Sequence, residues 1–213
     1  YVLAEPHFVR QIAWMRSAGL RGVSVGQARQ AAFAAPAQIV ITFDDGCETD
    51  WGVAAPHLLE YGFGATFYVV SRWIGCRAGF LTAAQLRELS AAGFEVGSHS
   101  ATHAFLTGLE DGGLRRELLD SKREIEDVVG RPVTHLSCPG GRVSRRVADA
   151  AREAGYETMA TSRLGVNGPR TDPFALARCP VLRDTPQHTF EALCRGERLA
   201  GLQVREHALG AAK

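Results

Sequence analysis

The chain has 213 residues, 46% of them hydrophobic, 22% charged and 8% aromatic. This is the composition of an ordinary globular domain, and it excludes a disordered, collagen-like or disulfide-stapled chain. Twenty-four basic residues against 23 acidic ones leave a net charge of +1, too little for a nucleic-acid or anionic-membrane surface, and the longest apolar run, around Phe63–Val70, is far below the roughly 20 residues that span a bilayer.

In chain order, Pro6–Ser17 carries Phe8, Ile12 and Met15 at helical spacing and stops at Gly19. Residues 38–43 (QIVITF) read as a β-branched strand, Asp50–Tyr61 as a helix closed by Gly62, and Ala65–Val70 as a second strand. Thr82 is an N-cap for an amphipathic helix ending at Gly93, and Phe94–Gly97 is a third strand. Leu114–Val129 places Leu118, Ile125 and Val129 on one helical face before Gly130-Arg131-Pro132. Val133–Cys138 and Tyr156–Thr161 are strands, separated by a helix over Val143–Ala154. A weaker strand is expected near Ala175–Leu182, with helical sequence over 186–213. Apolar strands alternating with helices predict one α/β domain over residues 1–213, its parallel strands covered by helices. Periodicity alone leaves an open sheet and a closed barrel as alternatives.

Five scattered cysteines, Cys47, Cys76, Cys138, Cys179 and Cys194, form no CxxC pair and point to free thiols. The chain begins at Tyr1 without a signal-peptide pattern, as a processed or trimmed product would.

Chemistry in such folds collects at the C-terminal ends of strands, and three of those ends are unusual here. The first is Thr42-Phe43-Asp44-Asp45-Gly46. A turn explains one of its aspartates, whereas two adjacent carboxylates call for a positive partner. The second is His99-Ser100-Ala101-Thr102-His103, whose i, i+4 histidines would share one face of a helical turn and reach one ion. Together with Asp45 they form an Asp-His-His set that leaves a position open for water, as a catalytic zinc site does. The third is Ser137-Cys138-Pro139-Gly140-Gly141, either a plain strand-to-helix connection or a turn offering a backbone N–H to an oxyanion.

In this order the three segments resemble the polysaccharide deacetylase family (NodB-homology, carbohydrate esterase family 4). TFDDG is similar to the first family motif and HSATH to its H-S-x-x-H motif, and the likeness runs from about Phe8 to about Arg183. The resemblance implies a distorted (β/α) barrel of about seven parallel strands and a metal-dependent N-deacetylase of an N-acetylated carbohydrate. It implies one divalent ion, zinc above all, on Asp45, His99 and His103. Asp44 would be the general base for the attacking water, and the Gly140 N–H an oxyanion donor.

Three departures qualify this reading. Many members hold the base carboxylate with an arginine in the third motif, where this chain has Ser137. Arg178, in the late strand, is the expected replacement, ahead of Arg142 beyond the double glycine. The last motif, which supplies a histidine general acid, has no clear match. His188 and His207 are the only histidines late enough in the chain, and His188 is the candidate, each also being readable as a surface residue. Finally, relatives carry an apolar strand with a Tyr-His pair before the position of Tyr1. His7, His57 and His135 read as structural. A non-sugar amide substrate and a carbohydrate-binding pseudoenzyme stay open as alternatives, as do oligomeric state and compartment, since the family is mostly exported while the cysteines suggest a reducing milieu.

Overall fold

The structure, a computed structural model, describes residues 3–197. Helix α1 (Glu5–Ser17) leads into strand β1 (Arg21–Val23) and a short helix α2 (Val25–Gln30). Residues 38–43 form one extended run in two parts, β2 (Gln38–Val40) pairing with β1 and β3 (Thr42–Phe43) pairing with β4 (Thr66–Val69). Strands β5 (Glu95–Ser98), β6 (His135–Ser137) and β7 (Thr158–Ala160) complete a five-stranded sheet in the order β3-β4-β5-β6-β7, every pair parallel. Helices α3 (Ala55–Glu60), α4 (Ala83–Ala91), α5 (Asp111–Val129) and α6 (Arg145–Glu153) supply the crossovers, and α7 (Gln187–Cys194) packs near α1 through a Trp14–Phe190 ring contact.

Local sequence explains the boundaries. Thr82 and Gln85 cap α4 reciprocally, Ser24 and Gln27 do the same for α2, and Ser144 accepts the Val147 N–H at the start of α6. Helix α5 stops at Gly130, whose φ of 67° is left-handed. The expected helix over Asp50–Tyr61 begins as a wider π-helical turn at Asp50–Ala54 before α3.

Alternation along the strands sorts side chains into two layers. Phe67, Val69, Val96, Leu136 and Met159 face outward into a core with Leu58, Leu86, Leu114, Leu118, Ile125 and Val147 of the helices. The intervening residues face inward, where Tyr68 of β4 packs with Ala160 of β7, Leu176 and Val25. In a flat sheet β4 and β7 would stand about 14 Å apart, so one shared cluster requires the sheet to curl. Gly97 makes room for this, because a Cβ there would meet Tyr68 Cδ1 at 2.5 Å. The result is the distorted, incomplete (β/α) barrel.

Two expectations are corrected. The strand near Ala175–Leu182 reduces to one parallel bridge, Ala160 to Leu176. Beyond it the Asn167 side-chain amide takes the place of a neighbouring strand, accepting from Ala177 N and donating to Ala177 O, both at 2.9 Å, and Pro180 has no N–H to continue a ladder. Conversely, β1 was not anticipated, since Arg-Gly-Val is too short to show periodicity. Of the expected C-terminal helical segment, α7 is present, while residues 198–213, including His207, lie outside the described residues.

Candidate active site

The alternation that puts Tyr68 and Gly97 inside the barrel also aims the next inward residues, one step further along, at its C-terminal mouth. These are Asp44 after β3, His99 after β5 and Ser137 at the end of β6. Asp45 and His103 reach the same place from the loops that follow. The HSATH segment is not the helical turn its spacing suggests. It is a loop in which Ser100 and His103 both adopt φ of 66°, and Asp45 has φ of 78°. Left-handed backbone at non-glycine residues costs of order 1–3 kcal/mol each and persists where surrounding contacts enforce it. Here the Ser100 hydroxyl accepts the His103 N–H at 3.0 Å, and Glu117 accepts the N–H groups of Ala101 and Thr102 at 2.9 Å.

The loop brings together three donors that suit one cation. Ligand atoms of Asp45, His99 and His103 all lie within 4.8 Å of one another. Asp45 Oδ1 is 3.4 Å from His99 Nε2 and 3.3 Å from His103 Nε2. Bonds of about 2.1 Å at tetrahedral angles place donor atoms about 3.4 Å apart, so the set fits a zinc-sized ion. His99 Nδ1 lies 2.8 Å from the Ser137 carbonyl. That bond assigns the proton to Nδ1 and turns the Nε2 lone pair toward the carboxylate. Burial holds the His99 pKa below its ordinary value, against the pull of Asp44, which favours the neutral ring that a cation would need as a donor. His103 is steadied by the Trp73 indole, stacked at 5.3 Å.

Asp44 stands beside this cluster with Oδ2 4.0 Å from His99 Nε2. Arg178 grips it at two points, Nη1 to Oδ1 at 2.8 Å and Nη2 to Oδ2 at 2.9 Å. Arg178 is itself fixed, donating from Nε to Thr161 O at 3.0 Å, from Nη2 to Ser137 Oγ at 3.0 Å and from Nη1 to Thr42 Oγ1 at 3.4 Å. The Ser137 hydroxyl donates to Asp44 Oδ2 at 3.2 Å. Burial alone would raise the Asp44 carboxyl, but the Arg178 charge and these hydrogen bonds from Arg178 and Ser137 hold it below its usual value. The pair also joins the last segment of the barrel to β3, at the two edges of the curled sheet. The small Ser137 leaves space for a guanidinium arriving from that opposite edge.

The remaining expected residues form no bond to this cluster among the described residues. Gly140 has φ of 63° in a tight turn over 139–141, and a Cβ there would meet Phe105 Cε1 at 2.5 Å. Arg142 is exposed, with its guanidinium 4.5 Å over the Phe105 ring. His188 is exposed on α7, and no hydrogen bond, ion pair or ring contact among the described residues links it to the site. His57 pairs with Glu5 at 3.0 Å, and His135 lies 3.4 Å from Glu95. All five cysteines are free. Burial pushes the Cys47 thiol up to about 11 and that of Cys138 up to about 12, so neither is a ready thiolate ligand.

The structure adds residues that the sequence did not single out. Trp73 backs His103, and the Tyr68 hydroxyl is buried with no hydrogen-bond partner among the described residues. Asp50 is buried beyond Cys47, where burial and the nearby Asp45 and Asp44 push its carboxyl well up, and its Oδ2 has no partner among the described residues. Only the position of Trp73, in the short turn Ser71–Trp73 that follows the apolar strand β4, could have drawn notice beforehand.

A family model for polysaccharide deacetylases matches residues 34–159, which contain Asp44, Asp45, His99 and His103. The chain belongs to the polysaccharide deacetylase family. YxkH of Bacillus subtilis, which carries a polysaccharide deacetylase assignment, is 32% identical over 143 residues, 67% of this chain and 51% of that protein. A peptidoglycan-N-acetylglucosamine deacetylase of Bacillus cereus is 33% identical over 122 residues, 57% of this chain and 54% of that protein. The chain thus spans about half the length of these curated relatives. Among solved structures, the Streptococcus pyogenes deacetylase PplD in complex with acetate superposes with a TM-score of 0.84 at 21% identity, covering 92% of this chain and 88% of that one. At that identity the likeness carries the fold.

Proposed function

We propose that this chain is a metal-dependent hydrolase that removes the acetyl group from an N-acetylated amino sugar in a polysaccharide or glycan precursor, releasing acetate. The observation that carries the reading is the division of labour between adjacent carboxylates. Asp45 converges with His99 and His103 at 3.4 and 3.3 Å, while Asp44 is turned aside and held by Arg178 at 2.8 and 2.9 Å. A site that only bound an ion would not need a second, restrained carboxylate. When bound, a zinc-like divalent ion on Asp45, His99 and His103 supplies Lewis-acid polarisation of the acetamide carbonyl and of water.

The protein's own groups do the rest. Asp44, ionised and oriented, takes the proton of the attacking water. Arg178 and Ser137 keep its carboxylate from swinging onto the ligand set. The Gly140 N–H is assigned to the oxyanion as the acetamide carbon becomes tetrahedral. His188, remote in its contacts, is not retained as the acid in this reading. Asp44, once protonated, is the carboxylic acid placed to return that proton to the leaving amine.

The test is acetate release from N-acetylglucosamine oligomers by zinc-reconstituted protein, with His99→Ala and His103→Ala as controls. Release that requires both histidines is expected. A reconstituted protein that cleaves only non-sugar amides, or that binds the oligomers without releasing acetate, would overturn the reading.

A further inference from the structure

Helix α5 meets the mouth of the site through Glu117, Asp120 and Glu124, which its three- and four-residue spacing puts on one face. Asp120 and Glu124 lie 3.5 and 3.9 Å from the Arg72 guanidinium. Glu117 makes no ion pair among the described residues and spends its charge on the HSATH loop. Its Oε2 accepts the Ala101 and Thr102 N–H groups, both at 2.9 Å, and its Oε1 accepts the Thr102 hydroxyl at 2.7 Å. Those two N–H groups lie between Ser100 and His103, the two left-handed residues of the loop. Successive backbone N–H groups turned to one side form a nest for an anion, and here the anion arrives from a helix.

The two histidines of the loop are held in different ways. His99 keeps 3% of its side-chain exposure, and its Nδ1 lies 2.8 Å from the Ser137 carbonyl. His103 keeps 32%, and its Nδ1 has no hydrogen bond among the described residues. An imidazole that binds a metal normally has its other ring nitrogen anchored. Without that anchor, the direction of the His103 ring depends on the Trp73 stack and on its own backbone. The backbone is fixed by Glu117 and by the Ser100 hydroxyl, which accepts the His103 N–H. The turn carrying Trp73 is tied to the same loop, Ser71 N donating to Ser100 O at 3.2 Å and Arg72 N to Ala101 O at 3.1 Å. Glu124 of α5 accepts the Ser71 hydroxyl. One helix therefore grips both the loop and the turn that backs it.

We propose that Glu117 is a positioning residue for the cation site, setting the direction of His103 Nε2, and with it the affinity for a divalent ion, through the Ala101 and Thr102 N–H groups. Glu117 lies outside the Asp45, His99 and His103 cluster itself. The proposal rests on reading that cluster as the metal site, and its test does not depend on turnover.

Zinc affinity is measured on metal-stripped protein by competition with a chromophoric chelator. The visible spectrum of the cobalt-substituted protein and the melting of the metal-free protein are recorded for the same variants. Glu117→Ala should weaken zinc binding about 10–100-fold, the range for residues that orient a ligand. Its cobalt bands should weaken, as they do when a protein ligand gives way to water. Glu117→Gln keeps a carbonyl oxygen for the two N–H groups and should stay within a few-fold of wild type. Glu117→Asp keeps the charge but falls one methylene short of the loop, and should lose severalfold. Ile125→Val, in the buried core elsewhere on α5, should lower the melting temperature and leave zinc affinity unchanged. Wild-type affinity and cobalt spectrum in folded Glu117→Ala would overturn the proposal. So would Glu117→Asp holding at the wild-type value while Glu117→Gln falls with Glu117→Ala, the order expected of a charge acting through space. Wild-type protein that binds neither zinc nor cobalt would instead overturn the metal reading, and this proposal with it.

Discussion

Replacing Arg178 by alanine removes the two bonds at 2.8 and 2.9 Å that hold Asp44, and it leaves that carboxylate with the Ser137 hydroxyl at 3.2 Å as its remaining hydrogen-bond donor. Breaking a buried ion pair by deleting one partner costs about 3–5 kcal/mol. Asp44 and Arg178 keep 31% and 23% of their side-chain exposure, so the loss in folding stability should lie near the lower end, about 3 kcal/mol. The chemical effect follows from the sign of the Asp44 shift. Burial pushes the carboxyl up and Arg178 is the largest influence holding it down. Without Arg178 the Asp44 pKa rises, the acid limb of the pH–rate profile moves to higher pH, and the base loses its orientation. A loss of roughly 10²-fold in kcat is expected, the scale of a general base's contribution. Arg178→Lys restores charge without the planar two-point grip and should recover only part of it. The assay is acetate release against pH, with zinc content measured on the same samples. Wild-type kcat and an unshifted acid limb in folded, zinc-replete Arg178→Ala would refute the reasoning.

Asp44→Asn should keep stoichiometric zinc while kcat falls at least about 10²-fold, whereas Asp45→Asn should lower zinc affinity itself; elemental analysis after dialysis, run beside the activity assay, separates the two. Cys47→Ser and Cys138→Ser should both retain one zinc, since their thiols are held protonated and neither joins the ligand cluster; loss of the ion in either would show a thiolate ligand. At the other end of the barrel, Glu95 accepts from Thr66 Oγ1 at 2.6 Å, Gly26 N at 2.9 Å and Ser24 Oγ at 3.0 Å, and lies beside His135. Burial would raise its carboxyl, but His135 and these donors bring it below the ordinary 4.5. Its contribution is therefore complete above pH 4.5 and is lost as pH falls through the lowered folded value. Glu95→Gln should cost about 3 kcal/mol at neutral pH and flatten the acid side of the melting-temperature profile; an unchanged profile would contradict this.

Long, strongly patterned elements were legible in the sequence. The apolar run over Ala65–Val70, the Thr82 cap and the α5 face with Leu118 and Ile125 all follow from local physics, and the structure places them as expected. The ring architecture was legible only through the family motifs, because curling depends on Tyr68, Gly97, Ala160 and Leu176 meeting across the barrel, and no local period encodes that. The spacing of His99 and His103 suggested a helical turn, whereas left-handed Ser100 and His103 deliver the same convergence through a loop. Side-chain hydrogen bonds from Asn167 replaced the expected late strand, an exchange that hydrophobicity cannot signal. The Arg178–Asp44 contact links residues 134 positions apart in sequence. It was anticipated from a missing partner at Ser137 and not from any pattern around Arg178 itself.

The proposed hydrolysis of an N-acetyl group on a sugar needs one ion held by Asp45, His99 and His103, working with Asp44. Its most direct test is a zinc titration of chelator-stripped protein, following acetate release from N-acetylglucosamine oligomers. No release is expected without the ion, then a linear rise in rate to a plateau at one equivalent per chain, and a flat line for Asp44→Asn at full occupancy. Release that survives chelation, or a fully loaded Asp44→Asn protein that turns over at the wild-type rate, would contradict it.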